Sequence, residues 1–232
     1  MNIFCISDIH GSIFEFEDAL LKVDLDFAND NKLVLLGDYI HGPSSYEVLD
    51  RIIALQQKFG SDRVVALLGN HEEMALNGYW AINQDRFGVY NDDYNEEREE
   101  VYLRWFSNLP LYYEIGNAIF VHAGIDEQAA SEGFWEIGTS EYIFTSKFPA
   151  EIGKIPNFDY KIIAGHIGTR TIANNPRYND IFYDGFNHYF LDSTVQESGE
   201  LFVLMYNVEQ NEFYKVGDNG ATIILPYSEE NY

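Results

Sequence analysis

Asn70, His71 and Glu72 follow directly on Gly69 at the end of the apolar run Val64–Leu68. An amide, an imidazole and a carboxylate gathered behind a buried strand are the donors of a metal or acid–base site, not of a packed core. The same grammar recurs along the chain. Ile3–Ser7 delivers Asp8 and His10, Leu33–Leu36 delivers Gly37 and Asp38, Ala118–Val121 delivers His122, and Ile162–Ala164 delivers Gly165 and His166. Any one Asp or His after a strand is ordinarily a turn or helix cap. Five such strand ends, each with a glycine at or near it and together using four of the six histidines, instead point to one shared metal site, because turns have no need of histidine. Asp8 and His10 sit two apart on one turn, so both side chains can converge on a single ion.

The elements that must position these groups are legible from periodicity. The runs are rich in Val, Leu and Ile without polar alternation, which predicts strands covered on both faces in an α/β sheet. In such sheets ligands sit beyond the carboxyl ends of the strands. Ser12 with Glu15 fits a capping box opening a helix with apolar positions Phe16, Leu20, Val23 and Phe27. Pro43 and the following serines lead into a helix over 46–59, and strand–helix–strand into Val64–Leu68 gives a parallel βαβ unit. Helices follow over 72–80 and 97–109, the second expected to wall one side of the cleft. Residues 83–100 are polar and strongly acidic, a solvated loop and helix face without calcium-loop spacing. Tyr112–Glu114 and Ala118–Val121 pair around Gly116 and Asn117, 134–148 is aromatic and partly helical, and strands over 187–191, 200–207 and 212–216 suggest a second sheet packed on the first. No repeat or low-complexity linker divides the 232 residues, which fit one domain with an acidic helical segment near 83–109. The last residues, SEENY, read as loose.

A formal net charge of −24 argues against nucleic-acid or anionic-membrane partners, since phosphates would be repelled on encounter. An anionic ester would meet the same repulsion unless bound dications reversed the local field. Cys5, the one cysteine, lies inside the first apolar strand and reads as core. No signal-type N-terminus or membrane-length apolar run occurs, so a cytoplasmic location is expected.

Five ordered motifs, SDIHG, GDYIHGP, GNHE, VHAG and GHIGT, resemble the calcineurin-like metallophosphoesterases. The likeness is to the branch holding bacterial serine/threonine protein phosphatases and symmetrical diadenosine tetraphosphate hydrolases, and it extends to the late segment HYFLDST. The resemblance implies two mixed β-sheets forming a sandwich flanked by helices around two metal ions, with manganese, iron or zinc each suited to the N and O donors. It implies that Asp8 and His10 bind the first ion, Asp38 bridges both, and Asn70, His122 and His166 complete the second. His71 would protonate the leaving alkoxide after attack by a metal-bound hydroxide. The implied substrate is a phosphoprotein or small phosphomonoester, with a dinucleoside polyphosphate as the alternative.

The sequence also departs from that branch. Its usual Gly-Asp-Tyr-Val-Asp-Arg-Gly-Pro is one residue shorter here, at Gly37–Pro43, so the Asp that orients the proton donor and the Arg that grips phosphate are both missing. His41 stands in their place, either contacting phosphate or filling a turn. A second arginine is replaced by Thr145, Ser146 and Lys147. Arg170 is the other candidate for substrate binding, against pairing with a surface acid. His188 reads as strand packing or surface, not as a ligand, and Asp192 as a turn or supporting group. The missing arginines motivate a rival reading, a metal-binding regulatory module that has lost catalysis.

Overall fold

The computed structural model describes residues 1–26, 28–84, 89 and 95–229. In chain order the elements are β1 (Asn2–Ile6), α1 (Ile13–Leu20), β2 (Lys32–Leu35), α2 (Ser45–Phe59), β3 (Val64–Ala66), α3 (Asn70–Leu76), α4 (Glu96–Phe106), β4 (Tyr112–Ile115), β5 (Ala118–Val121), α5 (Glu127–Ser131), α6 (Trp135–Gly138), α7 (Glu141–Ser146), β6 (Lys161–Ala164), α8 (Thr169–Ile172), β7 (Phe182–Tyr183), β8 (His188–Phe190), α9 (Val195–Ser198), β9 (Leu204–Asn207), β10 (Glu212–Gly217) and β11 (Gly220–Ile223).

Two mixed sheets result. The first runs β11-β10-β9-β1-β2-β3 and the second β4-β5-β6-β8-β7. β1, β2 and β3 pair in parallel, as do β5, β6 and β8, so the carboxyl ends of each trio lie at one edge. Side chains alternate across each strand, and the alternation divides the core into three apolar layers. Ile3, Cys5, Val34 and Leu36 face Ala118, Phe120, Ile163 and Tyr189 between the sheets. Phe4, Ile6, Leu33 and Leu35 turn the other way, onto Phe16, Tyr46, Leu49 and Ile52 of α1 and α2. On the far side Ile119, Val121, Ile162 and Ala164 pack under Trp135 and Phe144. Strands buried on both faces therefore follow from the uninterrupted apolar runs.

Several local expectations are corrected. The late strands β9 to β11 extend the first sheet, because β9 pairs antiparallel with β1; they do not form the second. Ser12 makes no side-chain cap, and α1 ends at Leu20, short of Val23; Phe27 lies outside the described residues. α4 packs Tyr102 and Phe106 into the core, and its Tyr102 hydroxyl and Trp105 indole bond to Asp50 and Gln56 of α2, so it buttresses that helix and contributes none of the residues lining the cavity beside His10 and His71. Much of the acidic stretch before α4, and the last three residues, lie outside the described residues. Among the described residues no helix is long and apolar enough to cross a membrane.

Candidate metal centre

The loops leaving the parallel strands meet at one rim. After β1 and β2 the chain stays zipped: Asp8 N, His10 N and Gly11 N donate to the carbonyls of Gly37, Asp38 and Tyr39. Glycines make this approach feasible. A Cβ at Gly42 would lie 1.6 Å from the His10 carbonyl oxygen, and one at Gly165 would lie 1.9 Å from Ser7 Oγ and 2.1 Å from Asp8 Oδ2. The expected glycines beside the ligands are thus packing requirements. Asp8, His10, Asp38, His41 and His166 themselves have left-handed backbones, with φ between +45° and +67°, a conformation that costs non-glycine residues energy and gathers at functional sites.

Asp38 is the hub. It is buried, and the Nε2 atoms of His122, His71 and His10 lie 3.4, 3.7 and 3.9 Å from its carboxylate. Asp8, fixed by the Ser7 hydroxyl and the His166 N–H, lies 3.9 Å from His10 Nε2. Asn70 Oδ1 approaches His122 Nε2 at 2.9 Å and His166 Nδ1 at 3.0 Å. All six candidate ligands and His71 therefore come together.

Their supports set the ring orientations. His10 Nδ1 and His122 Nδ1 lie 3.2 and 3.1 Å from the carbonyls of Ile40 and Leu36. Donation there leaves both Nε2 lone pairs facing inward, as metal-bound histidines require. Glu72, fully buried, accepts backbone N–H groups from Asp38, Tyr39, Ile40 and Gly69, and so clamps the loop that carries Asp38. Nothing in the sequence reading assigned Glu72 that task; its place three residues after Gly69, at the third position of α3, was the available signal.

The charges are tightly balanced. Burial pushes Asp38 up, but the His122 and His71 rings outweigh it and hold the carboxyl well below the usual range. Burial would lower His122, yet Asp38 raises it to about 9. Burial raises Asp8 to about 6 and, with Asp38, Glu72 to about 8. Burial lowers His166 to about 4 and, with His71, His41 to about 3. Crowding of buried carboxylates and imidazoles in one dry pocket is the electrostatic demand that cations satisfy.

Two groups can each hold an ion, His10–Asp38–His71 and Asp38–His122–His166, with ligand atoms within 4.8 Å of one another and Asp38 common to both. The nitrogen and oxygen donors fit two borderline or hard cations. His71 stands at the edge of the first group with Nε2 toward Asp38, within reach of an ion or of a group bound beside one.

The residues named for substrate binding behave differently. His41 is buried at the cavity wall and turned onto His71, with Nδ1 against Nδ1. Arg170 points away: its guanidinium donates to the Tyr178 carbonyl and Asn179 and sits beside Glu197. Lys147 is taken up by Glu127, Glu151 and the Ile125 carbonyl. Of the two places left open for His188, strand packing and surface, the structure shows the first: it is buried and ion-paired with Asp184 and Glu127. The cavity over the centre, about 190 Å³, is lined by His10, His41, His71, Asp192, Thr194, Val195 and Gln196. Asp192, pushed to about 7 by burial and by Asp8, and the neutral donors Thr194 and Gln196 were the groups that sequence reasoning left without a place in the cleft.

With the geometry in place, comparison with known proteins is informative. The calcineurin-like phosphoesterase family matches residues 1–208. A symmetrical bis(5′-nucleosyl)-tetraphosphatase of Buchnera aphidicola subsp. Schizaphis graminum is 30% identical over 161 residues, covering 66% of this chain and 52% of that protein. The chain spans about half the length of the curated relatives it matches. Among solved structures, a cold-active protein-tyrosine phosphatase of a psychrophilic Shewanella species aligns with TM-score 0.70 and 17% identity, covering 97% of this chain and 80% of that one. A serine/threonine phosphatase of Saccharomyces cerevisiae aligns with TM-score 0.67 and 15% identity over 99% and 82%. A putative diadenosine tetraphosphatase aligns with TM-score 0.61 and 21% identity over 94% and 95%. At these identities the likeness is one of fold, and it matches the two mixed sheets with flanking helices.

Proposed function

The chain belongs to the calcineurin-like phosphoesterase family, and we propose that it hydrolyses phosphate esters with two metal ions held at the rim of its paired sheets. The observation that carries this reading is the convergence of His10, His71 and His122 within 3.4–3.9 Å of the Asp38 carboxylate. Asp8 and His10 would hold one ion, Asn70, His122 and His166 the other, and Asp38 would bridge them; manganese, iron and zinc all suit these donors. When bound, such a pair lowers the pKa of water and neutralises phosphate oxygens. His71 then supplies the proton that the departing oxygen needs, from Nε2. Thr194 and Gln196 offer neutral hydrogen bonds along the cavity wall, and Glu72 keeps the Asp38 loop from shifting.

For substrate, a phosphoprotein or a small phosphomonoester is favoured by the cavity of about 190 Å³, below the roughly 300–1,000 Å³ of typical small-molecule sites. Its volume suits a phosphoryl group with the remainder of the substrate lying outside it. A dinucleoside polyphosphate is the second reading, supported by the names of the 30% identical relatives. The purified chain loaded with manganese should be assayed against phosphoserine and phosphothreonine peptides, 4-nitrophenyl phosphate and diadenosine tetraphosphate. Preference for the last would reverse the order. Full metal occupancy with no hydrolysis of any of them would leave the regulatory, non-catalytic reading.

A further inference from the structure

Nδ1 of His41 lies 2.5 Å from Nδ1 of His71. Between two imidazole nitrogens one must carry the proton and the other the lone pair. His41 cannot drift from this contact. It is fully buried, the Trp80 ring stacks on it with centroids 4.5 Å apart, and its own carbonyl accepts from Gln196 Nε2 at 3.4 Å. Its left-handed backbone, φ +67°, is followed by Gly42, where no side chain fits. With Nδ1 engaged, the remaining nitrogen of His71 is Nε2, and that atom faces Asp38 Oδ2 at 3.7 Å.

We propose that His41 is the positioning residue for His71: its Nδ1 lone pair accepts the His71 Nδ1–H and fixes the ring with Nε2 aimed at the leaving group. The inference rests on the phosphoester-hydrolase reading above. It gives the one-residue-shorter loop a purpose, because an imidazole reaches from the position where the sequence lacks the orienting carboxylate. In the step itself the P–O bond breaks, its electron pair stays on the departing oxygen, and that oxygen takes the Nε2 proton of the His71 imidazolium. The neutral ring keeps its Nδ1–H on His41, and solvent returns a proton to Nε2 for the next turnover.

The test compares 4-nitrophenyl phosphate, whose leaving group needs little protonation, with phenyl phosphate, whose leaving group needs much, on manganese-loaded enzyme. His41→Ala should lower kcat for phenyl phosphate ~10–100-fold, the usual scale for a supporting partner, with much less loss on 4-nitrophenyl phosphate, unchanged KM and full metal content. His41→Asn, which keeps an acceptor near the Nδ1 position and tolerates positive φ, should recover most of the loss. The His41→Ala effect should vanish in a His71→Ala background. Equal loss on both esters, or additive losses in the double variant, would overturn the proposal. If His71→Ala shows the leaving-group dependence and His41→Ala does not, this inference alone fails; if the unaltered chain hydrolyses neither ester, the hydrolase reading fails with it. Should His41→Ala not fold, imidazole-nitrogen NMR of the unaltered protein decides: a protonated His71 Nδ1 coupled to His41 Nδ1 is expected, and an unprotonated His71 Nδ1 refutes it.

Discussion

The backbone N–H of His166 donates to both carboxylate oxygens of Asp8, at 3.2 and 3.0 Å, across 158 positions of chain. One candidate ligand thus orients another from the opposite sheet. Because β1 belongs to the first sheet and β6 to the second, the centre forms only when the two sheets pack, and metal uptake should report on that packing.

Asp38→Ala should remove the shared ligand of both ion groups. Elemental analysis should show loss of at least one of two metal equivalents, with activity lower by about 10³-fold or more, as expected when several kcal/mol of charge stabilisation go. Retention of both metals would contradict a bridging carboxylate.

His71→Ala should separate metal binding from turnover. Loss of a general acid costs ~10²–10⁴-fold in kcat, and metal content should stay at the wild-type level. A fall in metal content would instead make His71 a ligand, as its place beside His10 and Asp38 permits.

Gly42→Ala tests the loop packing, since the added Cβ would lie 1.6 Å from the backbone oxygen of His10. Backbone cannot swing aside like a flexible side chain, so destabilisation of about 1–3 kcal/mol or more is expected, together with weaker metal uptake. Urea unfolding and a metal titration measure the two effects; wild-type values in both would show that the loops are not in close contact.

His188 gives a pH signature away from the centre. Burial would lower its pKa, but Asp184 and Glu127 outweigh it and raise it above the ordinary value. A raised folded pKa stabilises the fold fully below about pH 6.5 and loses that stabilisation as pH rises through the folded value. Asp184 and Glu127, both lowered, lose theirs as pH falls below about 4. Wild type should therefore exceed His188→Gln by on the order of 2 kcal/mol near pH 6, with the difference shrinking as pH rises through the raised folded pKa of the ring. A gap that is flat with pH would show that the ring is held neutral.

The strands and their ligands were legible because an apolar run ending in glycine and a polar donor is a local pattern. Asp8, His10, Asp38, Asn70, His122 and His166 could be listed without knowing how the strands paired. Pairing itself is not local: β9 alternates like any half-buried strand, and nothing in Leu204–Asn207 names β1 as its neighbour. β11, exposed along its length, and the two-residue β7 offer no periodicity at all. Arg170 sits beside the surface acid Glu197, the alternative its sequence position left open, and Lys147 pairs with Glu127 and Glu151, because a chain with 38 acidic residues supplies partners nearby. The His41–His71 contact was hidden because it depends on where a shortened loop lands.

Five residues of the candidate metal centre are coiled against the natural handedness of L-amino acids, each giving up about 1–2 kcal/mol that an ordinary right-handed turn would retain. The proposed centre is thus held under a standing mechanical load. Descendants adapted to hotter surroundings could gain melting temperature by relaxing those corners, and the grip on cations would be the first property to go.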